Sequence, residues 1–596
     1  MNTGNHTLKE LKELQEAPEW LTEEGFVTLS KGYLLKGETP KDLWMRAAKA
    51  SASRLKKPEL ADNFFALMWN NWLCLASPVA ANMGTERGLP ISCYGNYTPD
   101  SVDGIMETMS EVAALSKNGG GLGVYFGSVR PRGTPITNNG ESDGIIPFLK
   151  ILDSVTIGIS QGGTRRGATA VYLPIEHGDF DEFIEMRRPS GDLNRQCLNL
   201  HHAVSIGDEF MEKVLAGDPW ARERWTKVLK ARFETGEPYL FFRDTTNNAN
   251  PECYKANGLE VKASQLCSEI MLHSDENHTY VCCLSSMNLA RWDEWKNTNA
   301  VQEAIWFLDG VMEEFIVKSE NKKGFERTRR FAQKSRALGL GVLGFHTLLQ
   351  EKEYSFDDLR TYTLNGEIFK HMREEAEKAT KDLYEEYGAP EWCQGFERRN
   401  THLLAVAPTV SNSIISGNVS AGIEPLAAIA FAQKTAKGTF LQKNKQFKKL
   451  LQELGKDNEK TWHSIIVNNG SVQHLSFLTS EQKKLFATAR EIDQMILVRL
   501  AGQRQKYIDQ GQSLNLFFDI DVDPKLYNKI HLEAYKQGLK TLYYCRASSV
   551  LKGDNTNRDF ERKNTDSIVD VKVQEIVELP TAVAPTEEIS CTFCEG

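Results

Sequence analysis

The sequence predicts an α/β fold. Short apolar runs of strand length recur along the chain, amphipathic helical segments separate them, and Gly, Pro or polar clusters bound both. The first clear helix starts at Pro40. Thr39 stands at its N-cap, Pro40 takes the first helical position, and Asp42, three residues past the cap, completes a capping box, with Ala, Lys and Leu filling 41–56. Through 100–117, Val102, Ile105, Met106, Met109, Val112, Ala113 and Leu115 keep helical spacing, and Asn118 followed by three glycines stops the run. Further helical patterns cover 304–320, 359–387 and 480–509. Strand-like runs occupy 122–126, 168–173, 403–406 and 514–518. This predicts a helical region over 1–70, an α/β body over 71–545 and a flexible tail over 546–596, where aromatics are sparse and polar residues dominate.

Composition narrows the function classes. With 596 residues, 41% hydrophobic and 25% charged, the chain has the make-up of a globular protein that buries a large core. A formal net charge of −9 argues against binding to a nucleic-acid backbone and leaves nucleotide-sized ligands open. The chain has no apolar stretch long enough for a membrane span, and its polar beginning lacks a signal-peptide core, so a cytoplasmic protein without membrane attachment is expected. Eleven cysteines, an odd number without an export signal, argue against a structural disulfide framework. Some of those thiols are candidates for chemistry.

Cys591 and Cys594 close the chain three positions apart. The spacing suits a disulfide or half of a zinc site, and no spaced second pair completes the latter, because Cys282 and Cys283 are adjacent. A dithiol on a flexible arm is what a thiol relay needs. Cys267 and Glu269, two apart, would lie on one side of an extended segment and pair a thiol with a carboxylate. Standing alone, such a pair is more often a buried cysteine beside a solvated glutamate. Tyr543-Tyr544 alone reads as two packed strand aromatics. The turn at 408–413 combines small hydroxyl side chains with a helix start, which suits phosphate oxygens or simply caps the helix.

Taken in order, Pro90-Ile91-Ser92-Cys93, Lys117-Asn118-Gly119-Gly120-Gly121-Leu122-Gly123, Gln161-Gly162-Gly163-Thr164-Arg165-Arg166-Gly167-Ala168, Leu266-Cys267-Ser268-Glu269, Val281-Cys282-Cys283-Leu284-Ser285-Ser286, Pro408-Thr409-Val410-Ser411, Gly422-Ile423-Glu424-Pro425 and Leu542-Tyr543-Tyr544 closely resemble the catalytic large subunit of class I ribonucleotide reductase over about residues 20–596. The resemblance implies a ten-stranded α/β barrel of two five-stranded halves with a central finger loop. It implies that Cys267 carries a thiyl radical that removes the 3′ hydrogen of a ribonucleoside diphosphate and that Glu269 takes the 3′ hydroxyl proton. Cys93 and Cys282 match the reducing dithiol, and Cys591 and Cys594 the shuttle recharged by thioredoxin or glutaredoxin. Tyr543 and Tyr544 match the radical entry from a ferritin-like, dimetal small subunit, so this chain is expected to bind no cofactor or metal of its own and to act as a homodimer. Thr409, Val410, Ser411, Asn412 and Ser413 would cradle the substrate diphosphate, assisted by Ser77 and Ser92, with Gly121 admitting the ribose. Asp100, Ser101 and Arg130 match the site for ATP or deoxynucleoside triphosphate effectors, and segments near 136–144 and 187–201 match the specificity loops.

Two departures stand out. The family usually has Asn where this chain has Gln265, an amide with one more methylene and a different reach. A regulatory ATP-binding domain that many members carry is not recognisable before Cys93, which would leave overall dATP control missing or housed in the partner. The alternatives are an adenosylcobalamin-dependent reductase, which the tyrosine pair argues against, and a nucleotide-binding homologue altered in catalysis, which the intact cysteine set argues against.

Overall fold

The computed structural model describes residues 6–159, 167–189, 191–435 and 438–547. Cys591, Cys594 and the run 161–166 lie outside the described residues, as does Ser190 in the 187–201 segment.

Capping chemistry starts the helices where the sequence places them. Thr39 Oγ1 accepts from the Asp42 amide at 3.2 Å and the Thr39 amide donates back to Asp42 Oδ2 at 2.9 Å, so the helix runs Pro40–Arg54. The next predicted helix is Val102–Lys117, capped by Ser101. Its polypeptide then turns through Gly119 at φ 83°, which a glycine adopts without cost. The patterns at 304–320 and 359–387 become Ala300–Lys318 and Leu359–Tyr387. The expected continuous helix over 480–509 is two helices, Ser480–Leu485 and Gln494–Gln505. Side chains take the backbone donors between them: the Thr488 amide donates to Glu491 Oε2 and the Met495 amide to Asp493 Oδ1, which favours turns over helix.

Thirteen strands are present among the described residues: β1 Leu73–Leu75, β2 Cys93–Tyr97, β3 Gly121–Tyr125, β4 Ala168–Pro174, β5 His201–Ile206, β6 Tyr239–Phe242, β7 Tyr280–Asn288, β8 Leu338–Leu343, β9 Ala430–Thr435, β10 Gly438–Lys443, β11 Leu516–Phe518, β12 Thr541–Leu542 and β13 Cys545–Ala547. β2 through β6 are parallel in sequence order with helical crossovers, the signature of a right-handed βαβ succession. β7 lies antiparallel to β2 and parallel to β8. From β8 the pairing continues by parallel bridges Leu340↔Leu404 and Val406↔Gln512, then by the Tyr543 amide donating to the Leu514 carbonyl and by β11 alongside β13. β12 returns antiparallel to β6 and closes the ring. The two parallel halves are thus β2 to β6 and the succession β7, β8, 403–406, 510–518, 541–547. Three of these ten positions, 403–406, 510–518 and 541–547, are regularly paired over only part of their length, the first by single bridges alone. β1 adds on antiparallel outside β7, and β9 with β10 forms a separate hairpin.

The helices before β1 share one apolar core with the barrel. Ser51 Oγ donates to the Phe307 carbonyl at 2.8 Å, and a Cβ on Gly310 would sit 2.1 Å from that hydroxyl, so the two helices touch backbone to side chain.

The loop before β7 threads the ring. At Gly123 on β3 a Cβ would fall 1.9 Å from the Ser264 carbonyl oxygen and 2.7 Å from Gln265 Cα. Gly123→Ala should therefore lower the thermal midpoint by about 1–2 °C, corresponding to about 1–3 kcal/mol of overpacking. Gly158→Ala, where nothing lies within 4 Å, should leave it unchanged in the same melting assay.

Candidate active site

The threaded loop is held from both half-barrels. Tyr172 on β4 donates to the Gln265 carbonyl at 2.7 Å, the Gly511 amide to the Glu269 carbonyl at 2.7 Å, and Thr541 Oγ1 to the Ser268 carbonyl at 2.9 Å. Cys267 and Glu269 do not share a face by extended alternation, as the sequence suggested. Ser268 between them is left-handed at φ 61° and fully buried, a conformation a non-glycine residue keeps only when its surroundings enforce it. Both flanking side chains nevertheless border one cavity.

That cavity encloses about 490 Å³ including its open mouth, and Ser92, Cys93, Gly121, Gln265, Cys267, Glu269, Cys282 and Pro408 are among its lining residues. Cys93 on β2 and Cys282 on β7 are register partners across the antiparallel seam. Facing residues of such a pair have Cα atoms roughly 4.5–5.5 Å apart, inside the span of about 4.4–6.8 Å that a disulfide needs. Cys283 is the next residue on β7, and its partner in register is Leu338 on β8. Strand alternation turns it to the other face. Burial pushes the Cys282 thiol well above its usual range, partly offset by Gln510 Nε2, which donates to Sγ at 3.2 Å. Gln510 also donates to the Leu338 carbonyl and accepts from the Met271 amide at 3.0 Å, tying the strand that carries the thiol to the loop.

Glu269 is 1% exposed. Burial raises its carboxyl to about 7, against hydrogen bonds from Gln265 and Ser513 that favour the charged form. Ser513 Oγ lies 2.8 Å from Glu269 Oε2 and 2.5 Å from the Cys267 carbonyl. A hydroxyl has one proton to give, so it donates to the carboxylate when Glu269 is ionised and to the carbonyl when Glu269 is protonated and donates in turn. Gln265 Oε1 accepts from Ser264 Oγ and the Ile270 amide at 3.3 and 3.4 Å, while its buried Nε2 completes no bond of good geometry. The amide therefore leans on Glu269 without locking to it.

Thr409 is also left-handed, at φ 57°, and its hydroxyl accepts from the Gly422 amide, which fixes the turn entering the helix Val410–Ile415. Ser413 Oγ is committed to the Val410 carbonyl. The amides of Val410, Ser411 and Asn412 are at the helix start, where intrahelical partners are lacking. Asn412 Oδ1 accepts from Ser77 Oγ at 3.4 Å, and Ser77 lies 2.8 Å from the Tyr33 hydroxyl, so this group meets between the first helices and the barrel. Asp100 and Arg130, after β2 and β3, form an ion pair at 2.9 Å, each about one-third exposed, and Ser101 caps the following helix.

Tyr543 and Tyr544 have ring centroids 4.3 Å apart. Tyr239 completes a cluster at 4.7 Å from Tyr543 and 5.1 Å from Tyr544. The Tyr544 hydroxyl lies 3.4 Å from His201 Nδ1, which is 2.6 Å from Glu237 Oε1, and the Arg546 guanidinium covers the Tyr544 ring at 4.8 Å. Sequence reasoning missed Gln510, Ser513 and Tyr239. The polar string Gln510-Gly511-Gln512-Ser513 directly before an apolar strand was the available signal for the first two.

The fold and the site define the class: an α/β barrel that gathers thiols and a carboxylate around a loop threaded through its centre. A family profile described as the ribonucleotide reductase barrel domain matches residues 91–223, 220–399 and 394–545, and the all-alpha domain of the same family matches 19–88. The solved class Id ribonucleotide reductase alpha subunit of Actinobacillus ureae is 43% identical with a TM-score of 0.83, over 89% of this chain and 98% of that one. The ribonucleoside-diphosphate reductase large subunit of Invertebrate iridescent virus 3 is 35% identical, over 90% of this chain and 92% of its own length. That of Danio rerio is 27% identical over 96% and 81% respectively. The chain belongs to the ribonucleotide reductase large-subunit family.

The carboxyl geometry has a direct spectroscopic consequence. The infrared carbonyl band of protonated Glu269, identified by its loss in Glu269→Gln, should disappear with a midpoint near pH 7, the value about 7 set by burial. Ser513→Ala removes a donor to the charged form, so its midpoint should move up; an unchanged or lower midpoint contradicts the assignment.

Proposed function

We infer that this chain reduces ribonucleoside diphosphates to deoxyribonucleoside diphosphates, and the observation that carries the reading is the convergence of Cys93, Cys282, Cys267 and Glu269 on one cavity. In this reading a thiyl radical on Cys267 takes the ribose 3′ hydrogen, and Glu269 takes the 3′ hydroxyl proton, with Ser513 turning toward the carbonyl as the carboxyl fills. A carboxyl near neutrality suits both accepting and returning that proton. The 2′ hydroxyl leaves as water with a proton from the Cys93–Cys282 dithiol, whose two electrons complete the reduction as the disulfide forms. Cys267 returns the 3′ hydrogen and regains its radical. The balance is one substrate hydroxyl and two thiols to one C–H bond, water and a disulfide.

The turn at 409–413 with Ser77 and Ser92 holds the diphosphate in this reading, and Asp100, Ser101 and Arg130 face a nucleotide effector. The effector changes base preference by favouring one set of loop conformations over another. A small-subunit partner of ferritin-like fold supplies the radical from its metal pair through Tyr544 and Tyr543, the chain works as a homodimer in the cytoplasm, and thioredoxin or glutaredoxin recharges Cys591 and Cys594. No described helix is long and apolar enough to cross a membrane.

The test is CDP reduction with dithiothreitol and ATP, with the small subunit, with adenosylcobalamin, or with neither. Turnover is expected with the small subunit alone; turnover with the cobalamin alone overturns the class I reading, and silence in all arms favours the homologue altered in catalysis. In the active arm Gln265→Asn should keep turnover. Gln265→Leu, which takes the amide away from beside Glu269, should lose most of it.

A further inference from the structure

The turn that joins the threaded loop to β7 holds a second set of titratable groups outside the cavity. His273 Nε2 lies 3.0 Å from Asp275 Oδ2 and His278 Nδ1 lies 2.9 Å from Asp275 Oδ1. One ligand atom from each of the three residues falls within 4.8 Å of the others. The turn is closed by the Asp275 amide donating to the His278 carbonyl at 3.0 Å and the reverse bond at 3.3 Å, so the three side chains are presented by a fixed backbone.

The hydrogen-bond roles around His273 are informative. Its Nδ1 is 2.8 Å from the Glu260 carbonyl, which only accepts, so Nδ1 carries a proton. Nε2 then faces a carboxylate, which when ionised also only accepts. The Asn277 amide also donates to Asp275 Oδ1 at 2.8 Å, which holds the carboxylate in place between the two rings. The close approach of Nε2 to that carboxylate therefore needs positive charge, either a proton on the ring or a cation bridging the two. His278 brings a second imidazole to the same carboxylate. Its Nε2 is buried with no hydrogen-bond partner among the described residues. A ring whose far nitrogen donates to a backbone carbonyl, as His273 Nδ1 does to Glu260, is held in the orientation that proteins give a metal-bound histidine. Lys334, over the Trp392 ring at 6.0 Å, is paired with Glu391 at 2.8 Å. The Trp392 ring walls one side, 6.0 Å from His273 and 5.1 Å from His278. Asp275 is 38% exposed at its side chain, which leaves an entry path from solvent.

We propose that His273, Asp275 and His278 bind a divalent transition-metal ion of the zinc type, with solvent completing its coordination. Two imidazole nitrogens and one carboxylate match that donor preference. The ion would clasp the hairpin whose two arms carry Glu269, four residues before His273, and Cys282, four residues after His278. Its role would be to hold the loop and β7 at a fixed spacing.

The test uses the full chain without an affinity tag, loaded with Zn²⁺, desalted and assayed for metal per chain, beside His273→Gln, Asp275→Asn and His278→Gln. Zinc held by cysteines is common to all four proteins and cancels. The wild type should retain one more ion per chain than each variant, and only its thermal midpoint should rise with Zn²⁺. Equal metal content and equal midpoints overturn the proposal and leave the cluster a hydrogen-bonded turn of His273, Asp275 and His278. Should the variants fail to fold, Co²⁺ added to the wild type decides. A visible ligand-field spectrum without a thiolate charge-transfer band supports the site, and its absence refutes it.

Discussion

The two half-barrels meet at an antiparallel seam where three residues of β2 face three of β7, and its register sets Cys93 opposite Cys282. Everything chemical in the barrel depends on that register. A slip of one residue would bring Cys283 opposite β2 and send Cys282 to the far face, because side chains alternate along a strand. The seam also decides where the threaded loop emerges, since β7 begins a few residues after the loop ends. Parallel pairing on both sides, β3 on β2 and β8 on β7, leaves little freedom for such a slip.

Threading a loop through a barrel buries polar backbone that must be paired, and the partners come from elements far apart in sequence. Tyr172, Ser513, Thr541 and Gly511 reach the carbonyls of Gln265, Cys267, Ser268 and Glu269 in turn. This network fixes Ser268 in its left-handed conformation and so sets the angle between Cys267 and Glu269. The same low-dielectric interior raises the Glu269 carboxyl toward neutrality and discourages thiolate at Cys282. A protonated thiol is the form that can give up hydrogen and protons, so the burial that costs stability also sets the protonation states the reaction requires.

Local signals in the sequence located much of this. The Thr39 capping box, the Asn118 stop and the helix 359–387 are set by neighbours within a few residues, and the structure has them where those neighbours dictate. The ordered cysteine and glycine motifs contributed Cys93, Gly121, Cys267 and Cys282 to the cavity lining. What stayed hidden is non-local or finely balanced. Ser513 acts on Glu269 from 244 positions away, and Tyr239 joins the tyrosine pair only because β6 lies beside β12. The helix break near 488–493 turned on two side-chain acceptors competing with the backbone, a contest that apolar periodicity does not register. Extended alternation was the wrong reason for placing Cys267 beside Glu269, since the left-handed Ser268 arises from tertiary contacts that spacing does not encode.

The central claim is that Cys93 and Cys282, brought together by the seam, supply the reducing electrons. It is tested most directly by a single turnover of the prereduced chain carrying Cys591→Ser and Cys594→Ser, with the small subunit and substrate but no external reductant, followed by peptide mapping of disulfides. The expected result is product formation that stops after each competent site has turned over once, with a new Cys93–Cys282 disulfide in equal amount. Product without that disulfide, or a disulfide that forms through Cys283 instead, would contradict the account.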